Sequence, residues 1–289
     1  MTSALSQYYR LYDIPEGNKV NKGRAIQNLL NIESDDKVKA FINVRGLADK
    51  QFTQCHYIIM ATRNGIVKRT SLEEYSRPRA NGVIAITVRE GDELLKAVLT
   101  DGNQHLVLAT SDGRALRFKE DLVRCVGRSG MGVKGINVGD GNTTVGFVAV
   151  APDDDKDIFV LSERGFGKRS KLDEYSVQGR GCKGIRTIKI SDKTGSLVTI
   201  DTITDDDDLM IINRSGITIR IKATDIKVTG RATQGLCLIN LSKKSDQIAS
   251  GTIVPHEDQE EEQPALPENA EESDSQSEQN NNNEDRQQD

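Results

Sequence analysis

Residues 162–190, SERGFGKRSKLDEYSVQGRGCKGIRTIKI, contain all the parts of a pattern that decides the fold. The stretch turns at Arg164-Gly165 and continues into a basic cluster at 168–171. A short acidic and apolar step leads to a glycine-rich cationic loop at 178–184, and a strand with alternating polar and apolar residues follows. Because glycine tolerates the positive φ of a tight turn, this order predicts a hairpin, a loop and a further strand.

The same order of parts recurs along the chain with a nearly constant period. Glycines at the predicted hairpin turns occupy positions 65, 113, 165 and 216, at intervals of 48, 52 and 51 residues. Loop glycines occupy positions 23, 82, 135, 184 and 235, at intervals of 59, 53, 49 and 51 residues. A period of roughly 50 residues with four short strands per repeat is typical of blades arranged radially.

We predict an all-β, propeller-like disc with four complete repeats and a partial repeat at the N-terminus. The partial repeat is predicted to follow a featureless start at 1–7 and to contain strands at 8–12, 25–30 and 37–44. A cationic loop at 19–23 and a polar connection at 45–55 complete it. Since this repeat lacks its turn glycine and first strand, the chain is expected to begin within a blade and to leave an open sheet edge. In the complete repeats, strands are predicted at 57–62, 66–70, 83–88, 94–99, 106–110, 115–119, 136, 145–150, 158–161, 185–190, 197–203, 209–212, 217–222, 236–241 and 248–254.

Charge divides the chain into a body at 1–255 and a tail at 256–289. The tail holds 13 acidic residues and one basic residue, Arg286, whereas the body holds 38 basic and 31 acidic residues, a net charge of +7. The tail has no aromatic and almost no aliphatic residues, so it is predicted to be disordered. The body is predicted to be one basic globular domain. No apolar run is long enough to cross a membrane, and the first residues lack the apolar segment of a signal peptide.

Lysine and arginine recur at two matching places in each repeat, the strand after the turn and the glycine-rich loop. Radial repetition would turn these positions into a cationic belt, which suits a duplex bound through its phosphates rather than through its bases. The alternative is a solvated outer face whose charges keep blade edges from aggregating. The predicted DNA-binding residues are Lys68, Arg69, Arg77, Arg79, Arg117, Lys119, Arg128, Lys134, Lys168, Arg169, Lys171, Arg180, Lys183, Arg220, Lys222 and Arg231.

Other familiar motifs do not indicate catalysis. Two segments, 130–135 and 179–184, fit G-x-G-x-x-G, but each is followed by a predicted strand, whereas a dinucleotide site requires a helix. The acidic run 205–208 lacks the spacing of an EF-hand loop. The four cysteines are far apart and are expected to be reduced, and the three histidines have no nucleophile pattern beside them. We therefore predict no catalytic residues and no metal site.

Three segments carry a family resemblance: LYDIPEGNKVNKGRAIQNLL at 11–30, TRNGIVKRTSLEEYSRPRANGVIAI at 62–86, and SERGFGKRSKLDEYSVQGRGCKGI at 162–185. They resemble the C-terminal domain of bacterial DNA gyrase A, over roughly residues 8–254. The resemblance implies a six-bladed β-pinwheel whose hairpins pair between neighbouring blades, with duplex DNA wrapped around a basic rim. Wrapping in that family supports ATP-dependent negative supercoiling by the whole enzyme. The family's gyrase A box, Q-R-R-G-G-K-G, is matched at five of seven positions by 178–184, but in a later blade, so the chain is expected to start after the box.

The resemblance also implies partners and cofactors that lie outside this chain. The catalytic tyrosine and the ATPase belong to other regions, so the chain alone is expected to need no cofactor, while ATP and Mg²⁺ bind elsewhere in the whole enzyme. The expected partners are duplex DNA, the N-terminal part of gyrase A and the gyrase B protein, in an A2B2 heterotetramer located in the cytoplasm with the nucleoid. Alternatives are the equivalent domain of topoisomerase IV and a protein-binding propeller scaffold. The acidic tail is expected either to compete with DNA for the rim or to serve only solubility.

Overall fold

Each complete repeat begins with a β-hairpin closed by a glycine of positive φ. The structure is a computed structural model and describes residues 2–8, 14–16, 24–28, 30, 32, 36–79, 81–241 and 246–256. In the first hairpin, Gly65 has φ of 79°, and a Cβ at this position would lie 2.6 Å from the carbonyl oxygen of Ile136. Only glycine therefore satisfies both the turn and its close contact with the next repeat.

The four complete repeats contribute four strands each, and the helical segments are short. One α-helix, α1 (Lys50–Cys55), precedes the first complete repeat, and 3-10 turns occur at Ile26–Asn28, Leu72–Tyr75, Glu120–Leu122, Leu172–Glu174 and Ala223–Asp225. The described strands are β1 (Thr2–Ser6), β2 (Tyr57–Thr62), β3 (Ile66–Ser71), β4 (Val83–Val88), β5 (Leu94–Thr100), β6 (His105–Thr110), β7 (Arg114–Lys119), β8 (Val133–Lys134), β9 (Thr144–Val150), β10 (Asp157–Ser162), β11 (Phe166–Lys171), β12 (Ile185–Arg186), β13 (Leu197–Ile203), β14 (Asp207–Asn213), β15 (Thr218–Lys222), β16 (Leu236–Cys237) and β17 (Ile248–Pro255).

Neighbouring repeats exchange strands to complete their sheets. The sheet order β5-β2-β3-β8 joins three strands of the first repeat to the third strand of the second repeat. The orders β9-β6-β7-β12 and β13-β10-β11-β16 repeat this exchange one blade further along each time. The fourth repeat forms the three-stranded sheet β17-β14-β15, and within the described residues no strand pairs with the outer edge of β15. These sheets confirm the predicted all-β propeller class.

The sheets are arranged with one edge towards the centre and the other towards the outside. Strands β5, β9, β13 and β17 form the inner edges, and each contacts the inner strand of an adjacent blade. The borrowed strands β8, β12 and β16 form the opposite edges, together with the glycine-rich loops that lead into them. The cationic loops therefore lie along the outer edges of the blades.

Apolar side chains between adjacent blades form the core. In β2, Ile59 and Ala61 pack with residues of the second repeat, whereas Ile58 and Met60 face the opposite side of the sheet. Successive strand residues point to opposite faces, so both faces of each blade are covered. This explains why β6 and β10 are buried along their whole length and show no polar alternation.

The N-terminal region differs from its sequence prediction. The start of the chain is not featureless, because residues 2–6 form β1, which pairs antiparallel with β4. Segment 25–30 contains the 3-10 turn Ile26–Asn28 instead of a strand, and no strand is assigned at 37–44. Part of the connection at 45–55 forms α1, whose first turn is capped by the Asp49 carboxylate through the amides of Gln51 and Phe52. The predicted strand at 8–12 and the loop at 19–23 lie largely outside the described residues.

The structure also corrects the register of the loop glycines. Gly132, Gly184 and Gly235 all have positive φ and directly precede the strand borrowed by the preceding blade. A Cβ on any of them would lie within 2.7 Å of a carbonyl oxygen of that blade. In the second repeat the equivalent glycine is therefore Gly132 and not Gly135, which brings the intervals from Gly82 to 50, 52 and 51 residues.

Candidate nucleic-acid interface

Three arginines occupy the same position in successive outer loops, four residues before the positive-φ glycine. They are Arg128, Arg180 and Arg231. Arg180 donates from Nε to the carbonyl oxygen of Leu122 at 3.0 Å and from Nη1 to that of Lys134 at 3.1 Å. Arg231 makes the matching contact one blade further on, from Nη1 to the carbonyl oxygen of Arg186. These contacts join the loops of neighbouring blades into a continuous row.

Most of the predicted DNA-binding residues are accessible on this outer surface. Arg69, Arg128 and Arg231 are half-buried, with Arg69 stacked over the Tyr57 ring at 4.8 Å. Residues 133–134 and 180–186 bring several cations close together along adjacent outer edges. The exposed members are Arg77, Arg79, Lys119, Lys134, Lys171, Arg180, Lys183, Arg220 and Lys222.

Four predicted residues are instead buried and serve the interior. Arg117 is 5% exposed and donates to the carbonyl oxygens of Leu172 at 3.1 Å and Pro152 at 3.0 Å. Arg169 is 7% exposed and forms ion pairs with Asp157 and Asp205. The interpretation of every repeated cation as a surface group is wrong for these two and for Lys68 and Lys168, because their side chains are buried and already bind main-chain carbonyls or carboxylates of the same chain.

Lys68 and Lys168 are the most enclosed of the four, with no exposed side-chain surface. Lys68 Nζ donates to the carbonyl oxygens of Ala85 at 2.6 Å and of Arg128. Lys168 Nζ donates to the carbonyl oxygens of Gly230 at 2.7 Å and of Arg231, and to Thr233 Oγ1 at 3.2 Å. Burial lowers the pKa of each lysine to about 8, since removal from water disfavours the charged ammonium.

Carboxylates neutralise part of the surface charge. Lys171 Nζ lies 2.9 Å from Asp157 Oδ1, and Arg220 Nε lies 2.6 Å from Asp208 Oδ2. Within the described part of the chain, no ion pair involves Lys119, Lys134 or Lys183. Lys119, Lys134 and Lys183 are therefore freer to meet an external anion than Lys171 and Arg220, or than Arg128, whose Nε lies 3.8 Å from Glu74 Oε2.

Sequence reasoning missed four exposed cations in the same loops: Arg124, Arg186, Lys189 and Lys227. Arg124 and Lys227 stand eleven residues after their turn glycines, and Arg186 is in the borrowed strand β12. Counting from the turn glycine would have found the first pair. Arg186 has no such signal, because its exposure depends on pairing with the preceding blade.

The described residues do not support a metal site or a membrane-spanning helix. Among the described residues, no three histidine, cysteine or acidic side chains are grouped as metal ligands require. Asp205, from the acidic run, accepts a hydrogen bond from Arg169 at 2.6 Å. All four cysteines are free and exposed. In the part of the chain that the structure describes, no helix is long and apolar enough to cross a membrane.

Strand exchange between four-stranded blades and a row of cationic outer loops define a class of protein, the β-pinwheel. Within that class the particular family is also shown. A profile described as DNA gyrase C-terminal domain, beta-propeller matches residues 56–101, 104–151, 156–204 and 207–255. The chain belongs to the family of DNA gyrase A C-terminal domains, as its sequence resemblance indicated.

Individual relatives agree with this assignment. The DNA gyrase A protein of Staphylococcus epidermidis (strain ATCC 12228 / FDA PCI 1200) is 38% identical over 230 residues, covering 80% of this chain and 25% of the relative. The protein of the same name from Staphylococcus aureus (strain NCTC 8325 / PS 47) is 37% identical over 251 residues, covering 87% of this chain and 28% of the relative. The chain thus spans about a quarter of the length of the curated relatives it matches.

Two solved structures resemble the chain in fold. The C-terminal domain of DNA topoisomerase IV superposes with a TM-score of 0.73 at 26% identity, covering 81% of this chain and 71% of that one. The DNA gyrase A C-terminal domain superposes with a TM-score of 0.69 at 23% identity, covering 81% of this chain and 75% of that one. At that identity the second likeness concerns the fold alone.

Proposed function

We propose that this chain is a non-catalytic domain that binds duplex DNA and wraps it along the outer edges of the blades. The observation that carries the proposal is the row of loops joined by Arg180 and Arg231 and lined by exposed cations. Phosphate neutralisation by such a row would bind duplexes with little dependence on base sequence. In the whole protein, wrapping would support ATP-dependent negative supercoiling by a gyrase A2B2 assembly in the cytoplasm, in association with the nucleoid.

The body at 1–255 would be the DNA-binding part and the acidic tail at 256–289 a competitor for the same cations. The tail carries a net charge of −12, opposite in sign to the body. Deleting residues 257–289 should then tighten DNA binding, by an amount that shrinks as salt is raised. Unchanged affinity at low salt would leave the tail without this role.

The direct test is the salt dependence of duplex binding by the full chain. Each phosphate contact should contribute about −0.9 to the slope of log affinity against log salt concentration. Lys134→Gln combined with Lys183→Gln should lower affinity and make the slope shallower by about two such contributions. Lys96→Gln is the matched control, because Lys96 lies on the inner strand β5, away from the outer loops. Equal effects of the inner and outer substitutions would contradict an outer path.

A topology assay separates wrapping from simple adhesion. Nicked circular DNA is ligated with and without the chain, and the linking number is compared after the protein is removed. A wrapped path should shift the linking number, and the shift should diminish in the Lys134→Gln, Lys183→Gln variant. Binding without any shift would reduce the proposal to DNA adhesion. Relatives named as DNA gyrase A are 37–38% identical to this chain, whereas the solved topoisomerase IV domain is 26% identical, which supports this assignment over topoisomerase IV.

A further inference from the structure

Two of the four repeats have a polar interior beneath the outer loop, and two have an apolar one. Counted from the turn glycine, positions three, five and ten hold Lys68, Thr70 and Tyr75 in the first repeat. The third repeat matches it with Lys168, Ser170 and Tyr175. We call these the polar repeats. The apolar repeats, the second and fourth, hold Leu116, Phe118 and Val123, and Ile219, Ile221 and Ile226, at the same positions.

The lysine of each polar repeat reaches a loop that belongs to the next repeat. Lys68 Nζ binds the carbonyl oxygen of Arg128, and Lys168 Nζ binds those of Gly230 and Arg231. Arg128 and Arg231 are equivalent residues of the arginine row, so both lysines hold the loop at the same point. Between them, the loop 178–184 ends at Gly184 against the main chain of Ala115 and Leu116, and the Leu116 side chain offers no ammonium group.

In the third repeat, surrounding polar groups complete this arrangement. Tyr175 is buried, and its hydroxyl lies 2.6 Å from Thr187 Oγ1, while Ser170 Oγ donates to the carbonyl oxygen of Thr229 at 2.9 Å. Hydrogen bonds from a charged group to carbonyls are stronger than neutral ones, particularly away from water. An ammonium that binds the carbonyls of a loop therefore restricts how that loop moves relative to the strand that carries the lysine.

We propose that Lys68 and Lys168 are positioning residues that hold the DNA-facing loop of the following repeat from inside the protein. They do not contact DNA. Their ammonium groups fix the main chain at 128 and at 230–231, and thereby the places from which Arg128 and Arg231 extend. Loop 178–184 lacks this restraint and depends on other contacts, including the outward hydrogen bonds of Arg180. The effect on DNA rests on the proposed function, whereas the restraint of the loops does not.

Hydrogen exchange at the three loops tests the restraint directly. Lys68→Met should accelerate amide exchange by about tenfold at 127–132, and Lys168→Met at 229–235, because local opening becomes easier. Neither variant should change exchange at 178–184. Leu116→Met is the matched control, since it places the same side chain at the same position of an apolar repeat and should change none of the three loops. Uniform acceleration in all loops, or no acceleration in either held loop, would overturn the proposal.

Lysine acetylation of the unmodified chain provides a second measurement that requires no variant to fold. Lys68 and Lys168 should react at least about tenfold more slowly than Lys119, which is exposed. Equal reactivity would mean that these ammonium groups are not enclosed, and the proposal would fail.

Duplex affinity of both Met variants should fall by about two- to tenfold while the thermal unfolding midpoint stays within a few degrees. If the unmodified chain binds no duplex, the proposed function fails, but amide hydrogen exchange at the three loops still shows whether the lysines restrain them.

Discussion

The polar and apolar repeats build the same antiparallel hairpin from different interiors. Lys168 and Leu116 occupy the same position of the same strand, and both are fully buried. In the apolar repeat the space is filled by side chains such as Phe118, whereas in the polar repeat hydrogen bonds to loop carbonyls replace part of that packing. The comparison teaches that strand pairing determines the fold of each blade, while the side chains beneath the outer loop determine how firmly the loop of the next repeat is held.

The largest expected effect comes from removing bulk from an apolar repeat. Phe118→Ala should lower the free energy of unfolding by about 3–5 kcal/mol, since Phe118 is fully buried and the cavity would not collapse completely. At the same position of a polar repeat, Ser170→Ala should cost only about 1 kcal/mol, the contribution of its hydrogen bond to Thr229. Chemical denaturation of both variants measures the difference. Similar losses would mean that the two interiors are not energetically distinct.

The next effect is a dependence of stability on alkaline pH that only the polar repeats supply. Burial lowers the pKa of Lys68 and Lys168 from 10.5 to about 8. Between pH 8 and 10 the unfolded chain therefore retains protons that the folded chain has released, so stability rises with pH. The gain should be on the order of 1–3 kcal/mol per lysine.

Above pH 10 the buried tyrosines reverse this trend. Burial raises the pKa of Tyr75 and Tyr175 from 10.0 to about 12, so the unfolded chain loses these protons first and stability falls between pH 10 and 12. Urea denaturation from pH 7 to 12 should thus show a maximum close to pH 10. In Lys68→Met combined with Lys168→Met the rise from pH 8 should disappear. A rise that persists in this double variant would assign it to other groups.

A smaller effect distinguishes the two polar repeats from each other. Tyr175→Phe removes a hydroxyl that lies 2.6 Å from Thr187 Oγ1, and it should cost about 1–2 kcal/mol because Thr187 is buried. Tyr75→Phe removes a longer contact, 3.4 Å to the carbonyl oxygen of Ala85, and should cost less than about 1 kcal/mol. Thermal unfolding of the paired variants gives the order, and the reverse order would contradict the hydrogen-bond geometry.

The smallest effect on stability lies on the surface, where the difference between repeats should vanish. Lys119 and Lys171 stand six residues after their turn glycines, in an apolar and a polar repeat respectively. Lys119→Met and Lys171→Met should each change the free energy of unfolding by less than about 1 kcal/mol, even though Lys171 pairs with Asp157. Equilibrium denaturation of both variants checks this, and a loss above about 2 kcal/mol in one alone would be inconsistent with it.

Local sequence signals predicted the hairpins of the complete repeats well because their decisive features are local. Glycine at 65, 113, 165 and 216 closes hairpins, and the apolar runs before them form β2, β6, β10 and β14. The third strands were predicted less well: the strands expected at 185–190 and 236–241 span only Ile185–Arg186 and Leu236–Cys237, and the one expected at 136 is Val133–Lys134. The exchange of β8, β12 and β16 between repeats has no local signal, since it is decided by packing between blades. For the same reason the sequence alone could not choose between Gly132 and Gly135, because only pairing of β8 with β3 selects the first.

The buried lysines could have been recognised in part. Consecutive residues of a strand point to opposite faces, so the pair Lys68-Arg69 could not place both side chains on one rim. Which of the two faces inward, and what binds it there, depends in part on carbonyls from residues 60 or more positions away in the next repeat. The candidate interface was therefore predictable as a surface, but not residue by residue.

Three strands, β8, β12 and β16, pair with the preceding blade. This arrangement affects how the number of blades could change during evolution. Each of these strands joins a repeat to the one before it in the same way, so the three junctions between the four complete repeats are alike. Recombination between any two copies, at any shared point of the period, would add or remove one whole blade without creating a new kind of junction. The number of blades, and with it the length of the outer path, can thus change by a single crossover while each remaining blade keeps its structure.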